Sequence, residues 1–368
     1  MFTVGEYILL FSGGILAFYY LFFFLRLYLY NPKFTTPADK PVSVIIAAKN
    51  EEENLCENLP LILNQNYPEF EVVVVNDCSW DGTQEVLEAF QEKYDHLNVT
   101  QLKETELFSG GKKYAVALGV KAARYDYLLF TDADCKPSSK HWITEMMKGF
   151  NKNKKIVLGY GKYEKMPGFL NKLIRYDAFS IAQQYLSMAL AKIPYMGVGR
   201  NMAYHKSLFF QSQGFKKHIH LPSGDDDLFI NEVATAEITS VVVNPRSFTV
   251  SAPKKTFKEW AWQKKRHLTT AKHYRFTHQI ILMILIFSKY SFFSALIFNS
   301  VQNPLNTLVL SAFSTWFVMH LTVIKLNMIK LEEKGFWLLS PFLEILLLII
   351  YPIFTVSNFF HKPGRWIR

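Results

Sequence analysis

Leu128–Cys135, reading LLFTDADC, is the stretch that decides how this chain folds. The apolar run Tyr127-Leu128-Leu129-Phe130 ends abruptly in two carboxylates, Asp132 and Asp134. Such a run suits a parallel strand buried on both faces. Its carboxyl end delivers the two aspartates into the crevice where open α/β sheets bind ligands. Two aspartates one residue apart can share a hard cation through oxygen ligands and leave positions for a diphosphate. The bland alternative is a solvated turn, because Asp-x-Asp is a common triplet.

The neighbours favour the cleft. Val42–Ala48 (VSVIIAA) reads as a buried strand, Glu51–Asn64 as a helix and Phe70–Val75 as a second strand. Trp80-Asp81-Gly82-Thr83 is a turn inside Ser79–Tyr94, which continues as a helix. A short strand at Val99–Leu102, a helix over Lys112–Arg124 after Gly110-Gly111, and the 127–131 strand follow. Strands alternating with helices predict an α/β fold with a doubly wound, mostly parallel sheet. The first two strands also end in polar residues, Lys49-Asn50-Glu51 and Asn76-Asp77, so Glu51, Asp77, Asp132 and Asp134 line one edge. A carboxylate such as Asp77 can accept hydrogen bonds from a ribose or a base. Lys112 and Lys113, at a helix start after two glycines, can meet a diphosphate or simply face solvent.

The chain has 368 residues, a net charge of +10, 50% hydrophobic and 16% aromatic residues, too apolar for an ordinary soluble protein and too charged for a pure membrane bundle. The two properties are segregated along the chain. Cys56, Cys78 and Cys135 are scattered without a CxxC spacing, which excludes a disulfide framework and indicates a reducing compartment. The basic excess clusters beside apolar segments. That favours a membrane surface and phosphate-bearing substrates, with no nucleic acid as partner.

Several motifs in order resemble glycosyltransferase family 2, whose domain has the GT-A fold. They are SVIIAAKNEEENL, VVNDCSWDGT, GGKKYAVALG and FTDADC, then GVGRNMAYHKSLF (197–209) on the acceptor side, SGDDDLF (223–229) and QKKRH (263–267). Together they cover Pro41 to His278. The resemblance implies that Asn50, Glu51 and Asp77 hold the nucleoside of a UDP- or GDP-sugar. It implies that Asp132 and Asp134 bind Mg²⁺ or Mn²⁺, and that Gln263 and Arg266 contact diphosphate and acceptor. It places the catalytic base at Asp226, with Asp225 selected by a one-residue shift and Asp227 adjacent. The family's QxxRW motif ends here in His267 instead of tryptophan, which argues against processive polymer synthesis.

These residue types suit displacement at an anomeric carbon. A metal and a guanidinium stabilise the leaving diphosphate, and a carboxylate deprotonates the acceptor hydroxyl. One base without a second carboxylate nucleophile implies inversion. Asp225–Asp227 can alternatively be an acidic helix cap.

Glu6–Tyr30 is apolar and long enough to span a bilayer, and reads as a retained anchor (1–30). Arg26, Lys33, Lys40 and Lys49 follow it, so the 41–278 domain is expected in the cytoplasm of a multi-pass inner-membrane protein. Asn31–Lys40, with Pro32 and Pro37, reads as a linker. Tyr163–Leu190 is either an interfacial helix guiding a lipid acceptor or a core helix. Lys254–Arg275, basic with Trp260 and Trp262, fits a helix on an anionic leaflet. Three apolar segments occupy the rest (279–360): Gln279–Phe298, Leu305–Ile324 and Phe336–Phe360. Lys289, His320 and Glu344 within them are expected to face protein or the interface. Pro341 and Pro352 kink the last segment or make it re-entrant. Re-entry would reconcile the basic tail, His361–Arg368, with the charge rule.

The expected function is metal-dependent, inverting sugar transfer from a nucleotide sugar to a lipid-linked or glycan acceptor at the membrane, as in cell-envelope synthesis. The rivals are a processive polysaccharide synthase, a sugar nucleotidyltransferase, and a non-catalytic nucleotide-sugar-binding membrane protein.

Overall fold

The computed structural model describes residues 2–32, 40–103, 111–151 and 153–360. Most of the linker expected over Asn31–Lys40, Gly110, and the tail His361–Arg368 lie outside the described residues. Helix α1 (Val4–Phe18) runs through a π-helical stretch, Tyr19–Phe24, into α2 (Leu25–Leu29). Then come β1 (Val42–Ala48), α3 (Glu52–Leu63), β2 (Phe70–Asp77), α4 (Thr83–Gln91), β3 (Leu97–Leu102), α5 (Lys112–Ala122) and β4 (Tyr127–Phe130). The middle of the chain supplies β5 (Cys135–Pro137), α6 (Trp142–Met147), β6 (Ile156–Leu158), β7 (Gly161–Tyr163), α7 (Phe169–Leu190), β8 (Met202–His205), α8 (Lys206–Gln211) and α9 (Asp227–Val233). Strands β9 (Thr239–Val241) and β10 (Thr249–Ser251) precede α10 (Phe257–His267), α11 (Phe276–Gln302), α12 (Thr307–Lys330) and α13 (Ser340–Phe360).

The main sheet has the order β3-β2-β1-β4-β8-β6-β9. The half read from strand–helix alternation is parallel: β1 pairs with β2 and β4, and β2 with β3. Strand β8 runs against both β4 and β6, so the sheet is mostly, not wholly, parallel. A smaller sheet, β5-β10-β7, stands beside it. Every residue of β1 is buried. Val42, Val44 and Ile46 share a core with Leu55 and Leu59 of α3 and Trp142 of α6, while Ile45 packs with Ala115 and Val120 of α5. Helices thus cover both faces, as a continuous apolar strand requires. Gly119 lets α5 close on the sheet, for a Cβ there would come within 2.7 Å of the Ile45 side chain. The register aligns Ile45 with Phe130, so Thr131 and Asp132 leave β4 while β1 continues to Ala48. That stagger opens the crevice.

Among the described residues, four helical segments are long and apolar enough to cross a membrane: Val4–Leu29, Phe276–Gln302, Thr307–Lys330 and Ser340–Phe360. Glu6 accepts a hydrogen bond from Asn306 (2.8 Å), and Gly5 lies against Asn299, so one end of α1 meets the α11–α12 turn. At the other end Asn327 donates to the Phe24 carbonyl (3.0 Å) and Lys330 to that of Tyr30. Helix α13 sits differently. Its first residue, Ser340, meets His320 halfway along α12, whereas its last turns meet α10 through Trp260–Phe354 and Lys265–Ser357. It continues helically through Pro352. The three ionisable groups expected to face protein do so. Lys289 pairs with Glu344, Glu344 also accepts from Tyr176 (2.7 Å), and His320 bonds Tyr20 (2.8 Å).

The two readings left open for α7 separate here: it is a core helix, not an interfacial one. Most of it is buried, including Arg175, Tyr176, Asp177 and Phe179. Arg175 pairs with Glu333, which also accepts from Tyr160 (2.9 Å), and Asp177 pairs with Lys264 and accepts from Tyr351. Within Lys254–Arg275, Lys264 and Trp260 are interior, whereas Lys255, Lys258, Trp262, Lys272 and Arg275 are exposed.

Removing one partner of a buried ion pair leaves the other charge uncompensated, at a cost of about 3–5 kcal/mol. Glu333→Leu alone is therefore expected to lower the unfolding temperature in detergent sharply, and adding Arg175→Met to restore most of it. A double variant no more stable than the single one would refute this role for the pair.

Candidate functional site

The site is built where β1, β2 and β4 end. The residues after β1 and β2 leave the strands in left-handed conformations, Asn50 at φ 53° and Cys78 at φ 54°. Non-glycine residues there are strained, and such strain gathers at functional sites. Hydrogen bonds stitch the two turns together: the Asn50 amide donates to Ser79 Oγ (2.9 Å), and Asn50 Oδ1 accepts from the Trp80 amide (3.0 Å). Glu51 is buried and accepts from Asn54 (2.6 Å). Asp77 is fully buried, and both of its oxygens accept from the Gly111 amide (2.9 and 3.1 Å). Gly111 takes φ 145°, which lets α5 start there and places Lys112 at the crevice.

The Lys112 ammonium lies 2.8 Å from Asp132 and 3.3 Å from Asp225. Desolvation works against its charge, but Asp132, Asp225 and Asp226 outweigh it and keep the ammonium protonated well above its ordinary range. Lys113 turns away. Its ammonium donates to the main-chain carbonyls of His218 and Leu221, which corrects its expected contact with a diphosphate. Desolvation lowers it to about 8.

The three aspartates of 225–227 have three different environments. Burial opposes ionisation of Asp225, but Lys112 prevails and holds it below the usual carboxylate range. Asp227 is buried and accepts from Thr270 Oγ1 (2.5 Å) and Tyr274 OH (2.7 Å), so it ties α9 to the segment after α10. Asp226 is half-buried at the head of α9 and accepts from the amides of Gly199 (2.8 Å) and Asp227 (2.7 Å). Desolvation, reinforced by the charges of Asp225 and Asp227, raises it to about 7. It combines the cap position with a carboxylate poised near neutrality.

Asp132, Asp134 and Cys135 bring possible ligand atoms within 4.8 Å of one another. Burial and the two aspartates push the Cys135 thiol far above its ordinary pKa, and it faces Ser251 Oγ (3.0 Å). It remains a thiol, which leaves an oxygen donor set that suits a hard divalent cation. Arg200, which the motif reading did not single out, is half-buried over the Tyr163 ring (4.3 Å) and within electrostatic reach of both aspartates. Its signal was an arginine in the tight Gly197–Asn201 turn before β8, inside a segment read as acceptor-side. On α10, Gln263 carries a buried Oε1 with no hydrogen-bond partner among the described residues. The exposed His267 lies within electrostatic reach of Arg266, Lys264, Lys112 and Arg200.

Residues 43–211 match the Glycosyl transferase family 2 model. The chain is 30% identical over 142 residues to a poly-beta-1,6-N-acetyl-D-glucosamine synthase of Staphylococcus epidermidis, covering 38% of this chain and 33% of that one. It is 27% identical over 243 residues to the probable glycosyltransferase YdaM of Bacillus subtilis, covering 61% and 54%. The chain therefore spans a third to about half of these relatives' lengths. A mannosyltransferase from Pyrobaculum calidifontis, solved with GDP-Man and Mn²⁺, shares the fold with a TM-score of 0.60 at 19% identity, covering 92% of this chain and 97% of that one. The mostly parallel sheet with its polar carboxyl edge is the GT-A architecture. By motif and family model, residues 43–211 form a glycosyltransferase family 2 domain.

Proposed function

We propose that this protein transfers a sugar, with inversion, from a nucleotide-sugar donor to a hydroxyl of a lipid-linked or membrane-proximal acceptor. The observation that carries this reading is the placement of Asp226, a carboxylate at the head of α9 gripped by the Gly199 and Asp227 amides, which burial and two flanking aspartates raise to about 7. A base is most effective when its pKa lies near the working pH. Asp226 takes the acceptor proton. Asp225 stays ionised against Lys112, and Asp227 holds the base in place through Thr270 and Tyr274. Lys112, Arg200 and Arg266 offset the charge that develops on the departing diphosphate. Asn50, Glu51 and Asp77 hold the nucleoside edge. Asp132 and Asp134 are the residues to hold a divalent ion, which when bound neutralises diphosphate charge. The Pyrobaculum enzyme's GDP-Man and Mn²⁺ are consistent with such a donor and ion. The domain faces the cytoplasm of an inner-membrane protein, with α1–α2, α11 and α12 as crossings. Because α13 starts beside the middle of α12 and ends against α10, its last turns lie on the catalytic side.

Asp226→Asn is expected to reduce transfer by roughly 10²–10⁴ while nucleotide binding persists. In the unsubstituted protein, kcat/KM should rise as pH increases through about 7, because the base must lose its proton. Near-normal transfer by Asp226→Asn, with Asp225→Asn inactive, would move the base by one residue. The products of the same assay are expected to be one sugar longer than the acceptor, and long polymer would instead favour the synthase reading.

Excess chelator is expected to abolish transfer and added Mg²⁺ or Mn²⁺ to restore it, with Asp134→Ala remaining inactive. Full turnover in chelator would remove the metal from this reading.

Cys56 is exposed on α3 and reports orientation. It should resist a membrane-impermeant maleimide in intact cells and react after lysis. Reaction in intact cells would reverse the proposed topology.

A further inference from the structure

Beside Asp225 and Asp227, two basic segments face each other. One is Lys216-Lys217-His218-Ile219-His220, which leads into the aspartates. The other is Lys272-His273, in the turn that ends at α11. Asp227 holds the second segment close, through Thr270 and Tyr274. Lys113 ties down the first by donating to the His218 and Leu221 carbonyls. His218 lies within electrostatic reach of Lys113, His220 and His273, and His273 within reach of Lys272 and His220.

His218 is the anomaly in this cluster. It is only 7% exposed, yet neither ring nitrogen has a hydrogen-bond partner among the described residues. An unsatisfied buried donor costs free energy and calls for an explanation, and an absent ligand is one. Burial, with Lys113, His220 and His273 around it, lowers the ring to about 4 against the opposing charge of Asp225, so it is a neutral imidazole that offers an N–H. The exposed Lys272, His220 and His273 add donors that can converge on a single anion. A tetrahedral phosphate, with several acceptor oxygens, matches such a group of donors better than a neutral sugar does. The crevice with Lys112, Arg200 and the DxD pair already accounts for the donor diphosphate, so this second group is left for the acceptor.

We propose that His218, His220, Lys272 and His273 form a second anion site, which holds a phosphate carried by the acceptor beside the base. This rests on the transferase reading above. Its position fits either a lipid headgroup or a soluble phosphorylated glycan, because α11, a candidate span, begins at Phe276, three residues after His273. The shared chemistry is a phosphate ester whose neighbouring hydroxyl reaches Asp226.

The test is equilibrium dialysis of radiolabelled inorganic phosphate against the full-length protein in phosphatidylcholine nanodiscs. His218→Phe, and the exposed pair Lys272→Gln with His273→Gln, are each expected to weaken binding about tenfold or more, the worth of a lost charge-assisted hydrogen bond. The exposed pair keeps the test valid if His218→Phe fails to fold. Lys112→Ala, on the donor side, should leave this binding in place. Adding phosphatidic acid to the nanodiscs separates the two sources. Displacement of the phosphate identifies a lipid headgroup and its retention a soluble ester, and both keep the site. Phosphate binding that Lys112→Ala removes while the cluster variants leave it unchanged would overturn the proposal. The pH profile set by Asp226 does not depend on that result, so the two readings fail separately.

Discussion

A single ammonium joins the two halves of this site. Lys112 sits between Asp132, at the end of β4, and Asp225, nearly a hundred residues later and next to α9. Without that cation, the two carboxylates would face each other across a partly dry crevice, which like charges do not tolerate. With it, the parallel half of the sheet and the segment that carries the base are drawn together. The same bridge explains why three consecutive aspartates behave differently. Lys112 keeps Asp225 ionised, hydroxyls from after α10 moderate the rise that burial imposes on Asp227, and Asp226, flanked by both carboxylates, is raised to about 7. The position of Lys112 depends in turn on Asp77, whose two oxygens grip the Gly111 amide at the start of α5.

Helix α7 does for the whole molecule what Lys112 does for the site. Its consecutive residues Arg175, Tyr176 and Asp177 reach three partners: Glu333 after α12, Glu344 on α13, and Lys264 on α10. Buried ion pairs are poor sources of net stability, since desolvation cancels much of their attraction. They do specify geometry, because each charge has one satisfactory partner. The catalytic sheet and the long apolar helices therefore meet in a defined orientation, not across a smooth apolar seam that could slide. Lys289 and His320, expensive in lipid, are accounted for in the same way.

The parallel half of the sheet was legible in the sequence because continuous apolar strands between amphipathic helices have few other interpretations. The edge residues Asn50, Glu51, Asp77, Asp132 and Asp134 were legible as strand-end positions. Lys112 and Lys113 were not separable, for adjacent residues of one type look alike until the helix is oriented, and then they point about 100° apart. Arg200 escaped notice because its local mark, a tight turn before β8, does not show which distant residues it faces. Helix α7 was ambiguous for a related reason. A helix buried on most sides by both polar and apolar partners has no single apolar face, and its pattern resembles that of a helix at a membrane surface. The path of α13 depends on where its two ends dock, and hydropathy does not encode that.

The raised Asp226 has a thermodynamic corollary. A carboxyl whose pKa is about 7 in the folded protein and near 3.8 when exposed binds a proton more tightly in the native state, so its contribution to folding becomes less favourable as pH climbs between those values. The fold is relieved of that burden when the base is protonated and idle, and carries it when the base is ready to act. Laboratory selection for heat resistance at neutral pH would consequently be drawn to this position early and would enrich sturdy, inert proteins.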